Sequence, residues 1–333
     1  MRVTKELLIK NAEEVVRSQA DADSSLVAAY LTGSLLTESP LLGNTTDIDL
    51  VFVHAGLTEE REFLRLTEDI HLDIQHYPKN VFEPARNLRA DPWLGTSIFN
   101  AKPIYDPDHF IDFIQASVRG MYHLPENILA RVEPFLVAAR QTWMNHHNSP
   151  GEMGPKQTVA LLKALENIAN GLSCLTTGPL SERRFLAQFQ QMAGVLELPG
   201  LFAGILGLLG VNEVDKKEMS AWLPLWEKAY DKVTEQEKES PEGHPHRKAY
   251  YQKAIQAMLE DQQYYLAAWP LLNSWTKLIM ELHTGDPRRA EWQQVFESLN
   301  LTGAGYSDRM AGLDAFLDRT EEYFDSWKEK QGL

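Results

Sequence analysis

Residues 31–53 read LTGSLLTESPLLGNTTDIDLVFV, and this stretch decides how the chain folds. An apolar strand stops at Gly33-Ser34, and a second apolar run begins with two aspartates, Asp47 and Asp49, one residue apart. Side chains alternate across a strand, so both carboxylates point to one face while Ile48, Leu50 and Phe52 point to the other. Charge placed in a strand is costly to bury unless something compensates it. The pair therefore expects a positive partner.

The same pattern returns downstream. In IHLDIQHY (70–77), Ile70, Leu72 and Ile74 share an apolar face, and His71, Asp73 and Gln75 share a polar one. If the two strands are neighbours in one sheet, Asp47, Asp49 and Asp73 converge. Carboxylates that close raise one another's pKa unless a cation neutralises them. A ligand set made only of carboxylate oxygens favours a hard divalent ion, above all Mg²⁺. Gly33-Ser34 supplies the complement: a glycine ending a strand and a serine opening a helix present backbone N–H groups and a hydroxyl to phosphate oxygens. Metal and phosphate cradle together read as a triphosphate site.

Outward from this stretch, residues 3–20 carry Leu7, Leu8, Ala12, Val15 and Val16 at helical spacing. SLVAAYLTG (25–33) and TTDIDLVFVH (45–54) read as strands, LTEEREFLRLTED (57–69) as a helix, and KPIYD (102–106) as a fourth, short strand. From residue 108 onward the periodicity is helical, broken by the turn signals NSPGEMGP (148–155), TTGPLS (176–181), KESPEGHPH (238–246) and TGDP (284–287). The expected fold class is α+β: a small mixed-sheet domain over residues 1–107, then a larger all-α domain of seven to nine helices over 108–333. The run VLELPGLFAGILGLLGV (195–211) contains Glu197 and Pro199 and is shorter than the roughly 20 residues of a membrane span, so it reads as a buried helix. EQEKESPEGHPHRK (235–248) reads as an exposed, flexible loop.

The net charge of −15 and pI near 5.1 disfavour a nucleic-acid track, which needs a basic stripe, and suit a cationic partner. With Cys174 as the single cysteine, no intramolecular disulfide forms and a reducing compartment fits. The start MRVTKELLIKNAEEVVRS has no continuous apolar core and does not read as a signal peptide, so a cytoplasmic location is expected.

Gly33-Ser34, twelve residues, then Asp47-Ile48-Asp49-Leu50 resembles the signature of the DNA polymerase beta nucleotidyltransferase superfamily, with Asp73 matching its third carboxylate on a later strand. The resemblance covers residues 25–106. A small catalytic domain followed by a helical one looks most like the aminoglycoside adenylyltransferases, and TTGPLSERRFL (176–186) resembles the segment from which a cation reaches the triphosphate there. Arg183 and Arg184 stand where that family commonly has a lysine. The resemblance implies Asp47, Asp49 and Asp73 as catalytic residues and ligands of two Mg²⁺ ions, and Gly33, Ser34, Arg183 and Arg184 as nucleotide-binding residues. It implies transfer of AMP from ATP to a hydroxyl of a small-molecule acceptor, possible for an aminoglycoside-like cation, by a monomer or homodimer without nucleic-acid template or membrane. The alternatives are AMP transfer to a protein, as antitoxin-type enzymes perform, and a nucleotide-binding sensor without turnover.

Other patterns have plainer readings beside the functional one. Arg140 and His146 resemble the Arg-to-His motif of helical HEPN ribonucleases, against a surface pair at a helix end. His146-His147 and His244/His246 lack a third nitrogen or sulfur ligand at zinc spacing. The tryptophans of AWLPLW (221–226) and AAWPLLNSW (267–275) line an acceptor pocket or, more simply, fill a helical core.

Overall fold

Helix α1 (Lys5–Ala22) starts where the Thr4 hydroxyl accepts the Leu7 N–H, and it buries Leu8, Ala12 and Val16, spaced four apart on one face. That face covers a five-stranded sheet in the computed structural model, which describes residues 4–56, 60–67, 70–149, 153–236 and 243–333. The strands are β1 (Leu26–Thr32), β2 (Thr46–His54), β3 (Glu60–Arg65), β4 (Ile70–Pro78) and β5 (Lys102–Tyr105), in spatial order β3-β4-β2-β1-β5. Only β2 and β4 run parallel; the other three pairings are antiparallel. The protein is thus α+β with a mixed sheet, followed by helices.

Strand β2 is central, and alternation sends its apolar residues to two cores. Ile48, Leu50 and Phe52 join Leu72, Ile74 and the α1 residues. Val51 and Val53 join Tyr30, Phe82, Ile98, Ile114 and Val118 under helices α2 (Leu94–Asn100) and α3 (Phe110–Arg119). The face that carries Asp47 and Asp49 is therefore polar only over its first half.

The segment 57–69, expected to be a helix, forms strand β3 over its described residues 60–65. β4 presents a row of N–H and C=O groups along its outer edge. Glu60–Arg65 satisfies that row in antiparallel register, and such an unmet backbone edge outweighs a weak local preference. Residues 57–59 and 68–69 lie outside the described residues.

At the C-terminal ends of β2 and β4 two buried histidines form a chain. His54 Nδ1 lies 3.3 Å from Asp23 Oδ2 and 3.2 Å from Ser25 Oγ, and His54 Nε2 lies 2.9 Å from His76 Nδ1. His76 Nε2 lies 3.6 Å from Glu62 Oε2. Burial, then the neighbouring His76, lowers the His54 pKa below the usual 6.5, with Asp23 opposing. Below pH 6.5 the unfolded chain then binds more protons at this residue than the folded one. Stability from His54 is full above that value and is lost as pH falls through the lowered one. Melting temperatures from pH 8 to 5 should show a wild-type decline that His54→Gln reduces; an identical decline in both would exclude this residue as its cause.

The chain divides into two compact units, Met1–Ala130 and Arg131–Leu333. Helix α3, which the sequence pattern groups with the helical part, packs its Ile111, Ile114 and Val118 into the core of the first unit. The remaining helices are α4 (Pro125–Asn148), α5 (Pro155–Cys174), α6 (Phe185–Val195), α7 (Pro199–Leu208), α8 (Lys216–Thr234), α9 (Lys248–Glu260), α10 (Ala268–Glu281), α11 (Pro287–Ser298) and α12 (Tyr306–Gln331). Ten α-helices follow residue 108 among the described residues, more than the seven to nine expected, and of the run 195–211, expected as one helix, only Pro199–Leu208 forms α7. Val195 ends α6 two-thirds exposed, Glu197 adopts a positive φ of 57°, and Pro199 opens α7. Proline likewise opens α5 and α11, where its missing N–H has no partner to lose. Of the expected loop 235–248, residues 237–242 lie outside the description, while 245–247 form a 3₁₀ turn with Arg247 buried.

Trp222, Trp226, Trp269, Trp275 and Trp292 are buried, so the tryptophan segments are core. No described helix is long and apolar enough to cross a membrane.

Arg140 ties α4 to α12. Its guanidinium donates to Glu321 at 2.9 and 2.6 Å, to Asp314 at 2.6 Å and to Asp318 at 2.7 Å. This engagement corrects the HEPN resemblance: Arg140 is a structural clamp, while His146 packs on Tyr306 and His147 stacks on Trp143. Arg140→Ala leaves three carboxylates facing one another on α12. It is expected to cost about 2 kcal/mol, the size of a charge-assisted network, by urea unfolding. A cost below roughly 0.5 kcal/mol would place these contacts among ordinary exposed ion pairs.

Candidate active site

The parallel register of β2 and β4 sets Asp49 directly opposite Asp73, and Asp47 opposite His71. On its other side Asp49 faces Thr32 of β1. One oxygen from each of Asp47, Asp49 and Asp73 lies within 4.8 Å of the others, and Asp47 and Asp73 are buried to 6 % and 7 % exposure. Three carboxylates are thus brought together by strand pairing, with β2 held between β1 and β4.

Gly33 forms the floor. Its φ is +73°, and a Cβ placed there would meet Asp49 Oδ2 at 1.8 Å. Only glycine permits both the left-handed turn and this approach. Ser34 was expected to open a helix, but residues Gly33–Leu36 make a single 3₁₀ turn, closed by the Thr37 N–H on the Ser34 carbonyl. The Ser34 hydroxyl lies 3.1 Å from Thr46 Oγ1, joining the turn to the strand that carries the aspartates.

Arg61 on β3 is the residue that sequence reasoning missed. Its Nε and Nη2 donate to the two oxygens of Asp73 at 2.8 and 2.6 Å, and its guanidinium sits 4.9 Å from the Phe63 ring centre. Read as a helix, residues 57–69 put Arg61 nowhere near Asp73. A strand reading would have found it, because Arg61 pairs with Gln75, two residues from the Phe63–Asp73 pair and so on the same face of the sheet as Asp73. Of the other polar-face residues, His71 is buried, and Gln75 donates to the Glu60 carbonyl at 2.9 Å, pinning the edge strand.

Arg183 and Arg184 belong to the Arg131–Leu333 unit. Arg183 is 3 % exposed; it donates to the Tyr250 carbonyl at 3.0 Å and stacks 3.2 Å from the Tyr250 ring centre. Arg184 caps α6, its carbonyl accepting the Gln188 N–H. Beside them, Glu182 accepts from Tyr251, Asn273 and Lys277. Burial opposes it, but Lys277 and Arg247 hold the Glu182 carboxyl below the usual range. These contacts place Glu182 and Arg183 of SERR (181–184) in a polar network with residues of α9 and α10. Cys174 is likewise buried, its thiol pushed up to about 12 by desolvation.

The donor set of the N-terminal cluster fits a hard divalent cation: every candidate ligand is a carboxylate oxygen. No described histidine or cysteine joins it in a metal-binding group.

No protein-family model matches the chain, and no curated protein matches its sequence. Among solved structures, the chain is similar to a nucleotidyltransferase-like protein from Exiguobacterium sibiricum 255-15, at 10 % identity and a TM-score of 0.35, over 98 % of this chain and 92 % of that one.

Proposed function

We propose that the protein is a Mg²⁺-dependent nucleotidyltransferase that moves a nucleoside monophosphate, AMP from ATP in the first instance, to a hydroxyl of a small-molecule acceptor. The observation that carries this reading is the convergence of Asp47, Asp49 and Asp73 beside the Gly33 turn. Those three carboxylates would hold the divalent ions, which when bound offset triphosphate charge and ease deprotonation of the attacking hydroxyl. Backbone N–H groups at Gly33 and Ser34 would take phosphate oxygens. Asp73 would accept the acceptor's proton as the new bond forms from its oxygen to the α-phosphorus and the bond to the β-phosphate oxygen breaks, releasing pyrophosphate. The acidic surface suits a cationic acceptor of the aminoglycoside kind.

Pyrophosphate release with Mg²⁺ and each of the four nucleoside triphosphates, against a panel of aminoglycosides and other hydroxyl compounds, tests the proposal. Release that depends on one acceptor supports it and names the substrate. Nucleotide binding without release across the panel would move the reading to a protein acceptor or a sensor.

A further inference from the structure

Arg61 makes a short, two-pronged contact at the acidic cluster. Arg61 holds both oxygens of Asp73, in the fork geometry that makes arginine–carboxylate pairs strong. Asp73 is 8 % exposed at its side chain, whereas Arg61 is 42 % exposed, on an edge strand whose pattern is solvent-facing at nearly every position. One partner is buried in the sheet, and the other reaches it from a largely exposed edge.

We propose that Arg61 competes with a divalent cation for Asp73, so that it sets the affinity of the site and is displaced when metal is bound there. This rests on the reading of the three carboxylates as metal ligands. The argument is one of occupancy and charge. A carboxylate that accepts two charge-assisted hydrogen bonds can ligate a hard cation only by giving up at least one of them. A guanidinium and a divalent ion on the same oxygens also repel each other. Arg61 therefore keeps Asp73 oriented toward the cluster while weakening its grip on metal. Its exposed chain has room to swing aside, and its cationic group then suits the anionic substrate that arrives with the metal. The competition acts at Asp73, the ligand whose two oxygens Arg61 holds.

The test is Mn²⁺ binding to the full-length protein, followed by calorimetry and by the paramagnetic resonance signal of free Mn²⁺, without nucleotide. Arg61→Ala is expected to bind Mn²⁺ roughly tenfold more tightly, the factor of about one charge-assisted hydrogen bond. Arg61→Lys should fall between the two, since a lysine cannot take both oxygens. In an Asp73→Asn background, Arg61→Ala should change nothing. Unchanged or weaker Mn²⁺ binding in Arg61→Ala, or the same gain with Asn at position 73, would overturn the competition and leave Arg61 as a positioning residue only. Absence of Mn²⁺ binding in every variant overturns it as well. Pyrophosphate release separates the two claims: turnover with no Arg61 effect on Mn²⁺ removes only the competition, and the Mn²⁺ effect without turnover removes only the transferase.

Discussion

Asp49→Asn is expected to reduce pyrophosphate release by roughly a thousandfold while the protein stays folded. Asparagine matches aspartate in shape, so the close packing against Gly33 survives the change. What disappears is one of three negative charges held within 4.8 Å, and with it a metal-competent oxygen of full charge. Relief of like-charge repulsion should leave the melting temperature equal or higher, because the folded state currently bears that repulsion. The same holds for Asp47→Asn, whose side chain is more deeply buried than that of Asp49. The measurement is turnover and thermal melting on the same preparations. Unchanged turnover in both variants would falsify the transferase reading, and a collapse of the melting temperature would show that the charges serve the fold instead.

Gly33→Ala should do damage of a different kind, costing stability and turnover together. An alanine at φ +73° is strained by about 1–2 kcal/mol on backbone grounds. Its Cβ would also stand 1.8 Å from Asp49 Oδ2 and 2.6 Å from Asp49 Cγ, so the carboxylate must move. Displacing a reacting-site group by about 1 Å costs on the order of a hundredfold in rate. Together these give an expected loss of about 2–3 kcal/mol in urea unfolding and at least a hundredfold in turnover. A double-mutant cycle isolates the contact. With Asp49→Ala, the oxygen and Cγ are gone and the nearest remaining atom is 3.0 Å away, so Gly33→Ala should cost markedly less stability there. An equal cost in both backgrounds would attribute the whole effect to the backbone.

Both expectations, like the Arg61 competition, depend on distances that no local pattern contains. Alternation along TDIDLVFV and IHLDIQHY was enough to place Asp47 with Asp49, and Ile70 with Leu72 and Ile74, because side-chain period in a strand is a property of the strand alone. Helix spacing in α1, the turn signals at 148–155 and 284–287, and the switch to helical pattern after residue 107 were legible for the same reason. Each is a local preference that packing did not oppose.

The tertiary structure decided the rest. Strand order set Asp73 next to Asp49, and no spacing in the sequence states which strands are neighbours. The open edge of β4 turned residues 60–65 from an expected helix into β3, and thereby carried Arg61 to Asp73. Burial against Tyr250 took Arg183 into the interior of its unit, where its charge alone gave no sign of a stacking partner. The chemistry of single strands and helix ends follows from local sequence, since it is settled within a few residues. The partners of a charge follow from which backbone edges and surfaces the whole fold leaves to be satisfied, and those are fixed only when the chain has closed on itself.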